Sequence, residues 1–129
     1  GMNLYGQDMD ETVMPQEAGL AWTVALAPPR AFIGRNAVEN RPAGRRRFGL
    51  VLNDRGVMRR HQKVRCTSGM GEVTSGGFSP TLNRSIALAR LPAAGASPAH
   101  AEVEVRGNWL RARLVEPPFV RHGKVLVNL

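Results

Sequence analysis

From Arg45 onward the apolar positions of this chain fall into short runs divided by turn residues, whereas the stretch before it has no such beat. In "SIALARLP" (residues 85–92) the period is two. Ile86, Leu88 and Arg90 share one side, and Ala87, Ala89 and Leu91 the other. "AEVEVRG" repeats the pattern, with Val103 and Val105 opposed to Glu102, Glu104 and Arg106. "RRRFGLVLND" is an apolar run closed by the polar turn "NDRG", and "VMRRHQKVRC" reads as its returning partner. "NWLRARLVEPP" completes a second hairpin around Gly107 and Asn108. About six short strands with regular turn signals predict a mainly β fold, a small closed antiparallel barrel. Its expected core runs through Leu50, Leu52, Val64, Val73, Ile86, Leu88, Val103, Val105, Leu110 and Leu114.

Residues 1–44 form a lead-in of different texture, joined to a barrel domain over 45–129. Pro15 suits the first position of a short helix, with Glu17 near its positive end. "AWTVAL" is β-branched and aromatic enough for a strand, and "APPR" is a connector. "AFIGRNAVEN" predicts a short helix with Phe32, Ile33 and Val38 turned inward, ended by "RPAG". "AAGASPAH" is a small-residue loop inside the barrel segment.

Composition narrows the picture. At 129 residues the chain can fill one core, and no run approaches the roughly 18 apolar residues of a membrane helix. One cysteine, Cys66, rules out an internal disulfide framework and suits a reducing compartment. The formal net charge is +8, so an acidic partner or nucleic acid is conceivable. The arginines are scattered, though, and 5% aromatics leave few platforms for bases, which argues against a stand-alone RNA-binding barrel.

Candidate chemistry is sparse. "TSGGFS" lacks the G-x-S-x-G of a nucleophile elbow, so Ser75, Ser79 and Ser85 stay structural. His61, His100 and His122 lie in three separate segments and offer neither a triad nor metal spacing with Cys66. The glycines around residue 71 do not form a phosphate loop. Instead, Gly76 and Gly77 allow a bulge or a close backbone approach, and Pro80 ends the strand. Asp8, Asp10 and Glu11 read as a solvated turn. Trp22 and Trp109 suit core or interface anchors, or a flat apolar face for a ring-containing ligand.

Taken in order, "MNLYGQDMDE", "EAGLAW", "FIGR", "GLVLNDRGVMRRHQKV", "GEVTSGGFSPTLNRSIALARLP" and "EVEVRGNWLRARLVEPPFVRHGK" resemble the C-terminal part of the glycine-cleavage T-proteins. "TSG-x-x-SPTL", Thr74 to Leu82, is the most telling element. The resemblance implies a Greek-key barrel belonging to an aminomethyltransferase. Such an enzyme takes the methylene carbon from an aminomethyl-lipoyl H-protein to tetrahydrofolate and releases ammonia. It also implies that the catalytic aspartate lies in missing N-terminal domains, so no residue here is assigned to catalysis and the isolated piece is expected to be inactive. Trp22 matches a folate-contacting tryptophan, and Met2 a lead-in position near folate. Arg121 or Lys124 could neutralise a glutamyl carboxylate. Met14 and Gln16 depart from the threonine and leucine common around Pro15.

The expected partners are the lipoylated H-protein, for which Arg45 to Arg47 supply a basic face, and the N-terminal domains of the same chain. Nucleic acid and membrane are not expected. The compartment would be the cytoplasm, or the mitochondrial matrix in a eukaryote. Folate-dependent demethylating dehydrogenases and folate-binding repair proteins carry similar barrels and are the alternatives within the superfamily.

Overall fold

The computed structural model describes residues 2–27, 30–93 and 100–128. The connector at Pro28 and Pro29 and most of the small-residue loop, residues 94–99, lie outside the described residues. Six strands close into an antiparallel barrel: β1 (Arg45–Leu52), β2 (Lys63–Cys66), β3 (Gly69–Ser79), β4 (Arg84–Pro92), β5 (His100–Val105) and β6 (Asn108–Val115). Around the barrel the order is β1-β4-β3-β2-β5-β6, with β6 returning to β1. Strands β2, β3 and β4 follow one another as hairpins and β1 lies beside β4, which is a Greek key. A two-stranded ribbon, β7 (Val120–Arg121) and β8 (Lys124–Val125), follows the barrel.

The interior is built by alternation. Phe48, Leu50 and Leu52 of β1 point inward with Val64, Val73, Val103, Val105 and Ala112. On β4 the interior positions are Ala87, Ala89 and Leu91. The period of two is as expected, but the assignment of faces is corrected. Ile86 and Leu88 join a second apolar cluster with Val51, Leu82 and Phe119 on the outside of the barrel, where residues 116–128 cover them. Small alanines face inward because the bulky Phe48 and Leu50 sit directly opposite Ala89 and Ala87 in register.

The reading of β1 and β2 as a hairpin is also corrected. β1 pairs with β4 and β6, and β2 with β3 and β5. Residues 53–62 carry the chain from one to the other, with the fully buried Met58 joining the interior cluster. This passage is so close to β3 that a Cβ on Gly76 would fall 2.6 Å from the Met58 carbonyl oxygen. Gly76 therefore serves the close approach, whereas the register shift of β3 falls between Val73 and Ser75 rather than at the glycine pair. β3 ends at Ser79, and Pro80 opens the turn to β4. The β5–β6 turn is Arg106–Gly107, both at positive φ, one residue earlier than expected.

The lead-in has little regular structure. "AWT" is a short 3-10 helix, Ala21–Thr23, instead of a strand. No neighbouring strand offers it a ladder among the described residues, and β propensity has force only against a partner. Pro15 opens a turn and not a helix, closed by Leu20 N–H donating to the Pro15 carbonyl at 2.7 Å. The helix α1 spans only Arg35–Asn40. Phe32 and Val38 are half-buried, but Ile33, expected to face inward, is fully exposed.

Candidate functional wall on the lead-in and the tail

The lead-in is fastened to the barrel by polar side chains. Asp8, expected to be solvated, is 3% exposed. Its carboxylate accepts from Leu4 N–H at 2.9 Å and from the Thr74 hydroxyl, a short contact. Thr74 is equally buried and also lies 3.2 Å from the Leu88 carbonyl. Arg47 donates to the Asn3 side-chain oxygen, and the Asn3 amide donates to the Ala18 carbonyl at 2.7 Å. Arg60 reaches the Gly6 carbonyl at 2.9 Å, and Glu17 accepts from Arg45 N–H at 3.0 Å. Burial pushes the Arg47 guanidinium below its ordinary range, while the charge of Asp8 pulls it back up.

With Asn3 and Asp8 turned to the barrel, the lead-in presents large apolar groups outward. Trp22 is 83% exposed and Met2 93%, and Leu4 and Tyr5 are exposed as well. The Tyr5 hydroxyl donates to Glu11 at 3.0 Å, and this bond to the carboxylate raises the phenol above its usual range. Asp10 accepts from the Thr12 hydroxyl and N–H at 2.6 and 2.9 Å, which holds it below the usual aspartate range. Asp10 and Glu11 are exposed turn residues, so of the three acids only Asp8 departs from the sequence reading.

Arg121 and Lys124 occupy directly opposed positions of the β7–β8 ribbon and both are exposed. The turn between them, His122–Gly123, has positive φ at both residues. Of the four candidate residues, Arg121 and Lys124 are paired on the tail, while Met2 and Trp22 are separate exposed residues of the lead-in. The Arg45–Arg47 triple is not a uniform surface. Arg46 pairs with Glu116 at 2.6 Å and lies over the Phe48 ring, and Arg47 holds Asn3. Ser79 accepts from Leu82 N–H at 3.4 Å, and Ser85 accepts from Met58 N–H and donates to the Gly77 carbonyl. Both serines are thereby committed to main chain. Among the described residues, no three metal-ligating side chains gather in one place.

Sequence reasoning missed Asp8 and Thr74. The only local signal was the capacity of Asp8 to close a turn on Leu4, because its barrel partner lies 66 residues away.

Comparison with known proteins gives the context. Residues 45–121 match the glycine cleavage T-protein C-terminal barrel domain. The chain is 55% identical to an aminomethyltransferase of Nitrosomonas eutropha and 56% identical to one of Bordetella pertussis, over 98% of its own length in each case. It spans only 36% and 35% of the length of these relatives. A crystal structure of the glycine cleavage system aminomethyltransferase T from Bartonella henselae superposes with a TM-score of 0.79 at 28% identity, covering 92% of this chain and 35% of that one. With its closed six-stranded barrel, the chain belongs to the family of glycine cleavage T-protein C-terminal barrel domains.

Proposed function

We propose that this chain is the part of a tetrahydrofolate-dependent aminomethyltransferase that supplies one wall of the folate site. The whole enzyme would take the methylene carbon from the aminomethyl-lipoyl arm of an H-protein and release ammonia. Tetrahydrofolate supplies the nitrogen that receives the carbon. Its acid–base chemistry would fall to the N-terminal domains, and its place would be the cytoplasm or the mitochondrial matrix. The observation that carries this reading is Trp22, a large indole left 83% exposed on a segment that is otherwise tethered.

The residues present fit such a ligand. Covering a large apolar side chain is worth about 1.5–3 kcal/mol, so a flat heterocycle laid on Trp22 gains affinity without rearrangement. Met2 extends the same apolar segment. Arg121 and Lys124 place like charges directly across a ladder, a pairing that an intervening anion relieves. A glutamyl carboxylate there would gain a charge-assisted bond worth about 1.5–3 kcal/mol. For the H-protein, Arg45 and Arg46 are the exposed members of the basic triple, and since Arg46 pairs with Glu116, Arg45 is the one whose neutralisation should weaken docking without disturbing the lead-in.

The test is a titration of the chain with a stable reduced folate, followed by tryptophan emission. Saturable quenching is expected, and it should vanish in Trp22→Phe. In a protein of the relatives' full length carrying this chain, Trp22→Ala should raise the KM for folate about tenfold with a smaller change in kcat. Unchanged folate KM in that variant would sink the assignment of Trp22.

A further inference from the structure

Among its bonds to the barrel, the lead-in meets β1 through Arg47 and β3 through Thr74, strands that lie on either side of β4. Arg47 stands on β1, opposite Arg90 of β4 in register. Thr74 stands on β3, at the register shift between Val73 and Ser75. We propose that Asp8 and Arg47 are positioning residues. Through Thr74 and Asn3 they form a two-point clamp that sets where Met2 and Trp22 stand against the barrel, and so the affinity for a reduced folate. The inference rests on the reading that Trp22 lines a folate site.

Three observations carry it. First, the clamp residues adjoin the wall they would set. Asn3 follows Met2 directly, and its amide bonds the Ala18 carbonyl four residues ahead of Trp22. The Arg47 guanidinium lies flat against Gly19, so close that a Cβ there would come 2.8 Å from Nε, at a φ of +70° that only glycine adopts freely. Second, the barrel departs from regular pairing where the clamp needs it. The extra residue in β3 leaves Val73 inside and delivers the Thr74 hydroxyl to Asp8. Third, the choice of contacts suits placement better than adhesion. Apolar contacts tolerate sliding, whereas a buried carboxylate is costly unless its bonds are made in one geometry. Asp8 meets that demand by fixing its own turn through Leu4 N–H and its location through Thr74 at the same time.

The test uses the chain labelled with fluorotryptophan, its two resonances assigned with Trp22→Phe and Trp109→Phe. In Asp8→Asn and Thr74→Val the Trp22 resonance should shift or broaden while that of Trp109 stays, and the Kd for a formylated reduced folate should rise about tenfold. Thr74→Ser should restore both. A Trp22 resonance and Kd unchanged in folded Asp8→Asn overturn the proposal, as does a Kd that rises only when the Trp109 resonance moves too. Arg47→Lys keeps the charge but loses the fork that spans Asn3 and Gly19. It replaces Thr74→Val where that variant does not fold, and the same two outcomes decide it. Should the unaltered chain bind no reduced folate, the folate reading falls, and the Trp22 resonance still decides whether the clamp sets the wall.

Discussion

Lead-in and tail are both laid over the outside of the barrel near β1 and β4, yet they hold on by opposite means. The tail is anchored by apolar side chains, although Val125 and Leu126 stay exposed. Phe119 is 4% exposed, packed with Val51, Leu82 and Leu88, and Val120 and Val127 lie against them. It turns its cations, Arg121 and Lys124, out. The lead-in is held by the polar side chains Asn3 and Asp8 and leaves Met2, Leu4, Tyr5 and Trp22 in solvent. A segment that needed only to adhere would bury its largest apolar side chain, as the tail does with Phe119. The lead-in gives up that gain, which is why its outward apolar face is read as a surface meant for something else.

The contrast predicts unequal costs. Phe119→Ala removes a buried ring from the tail's cluster and should destabilise the chain by about 3–5 kcal/mol. Thr74→Val leaves the ring packing alone and removes one hydrogen bond to the Asp8 carboxylate, which keeps its bond from Leu4 N–H, a cost of about 1.5–3 kcal/mol. Urea midpoints of the two variants, compared at constant m-value, check the order. A larger loss in Thr74→Val would mean that the lead-in carries more of the fold's stability than the tail, and the comparison above would be wrong.

Gly49→Ala sharpens it further. The ring of Phe119 sits on the bare backbone of Gly49, and a Cβ there would lie 2.9 Å from both Phe119 Cζ and Val115 Cγ2. Overpacking of this kind costs about 1–3 kcal/mol and should loosen the tail selectively. Faster amide exchange in the β7–β8 ribbon, with β2 and β5 unchanged, is the expected signature. Uniform exchange acceleration would show that the tail is not a separate unit.

How far the sequence disclosed this depends on the range of the interactions. Alternation in β4 was plain from its residues, but both of its faces are apolar because the tail covers the outer one. Nothing within the strand said whether Leu88 or Ala89 looked inward. The turn after β1 was legible, while the strand that would pair with β1 was not, since β4 and β6 reach it from far along the chain. Trp22 carried strand propensity with no strand to join. Asp8 looked like any turn acid until Thr74 was brought against it. Local chemistry could be read from the order of residues. What covers what could not.

The face of the barrel on β2, β5 and the start of β6 supplies the smallest expected effect. There Arg65 Nε lies 2.6 Å from Glu102 Oε2 and its guanidinium stands 4.4 Å over the Trp109 ring. The hydrogen bond from Arg65 holds Glu102 below the ordinary glutamate value of 4.5. A depressed carboxylate stabilises the folded state above its unfolded-state value, and the contribution disappears as pH falls through the folded one. Wild type should therefore melt slightly above Glu102→Gln at neutral pH, with the gap closing as pH drops below that value and also as salt is added. The loss in Phe119→Ala, being apolar, should survive both changes. If the Glu102→Gln gap persists in acid, the pair acts chiefly by holding Arg65 on Trp109, and this face is ordered by stacking and not by charge.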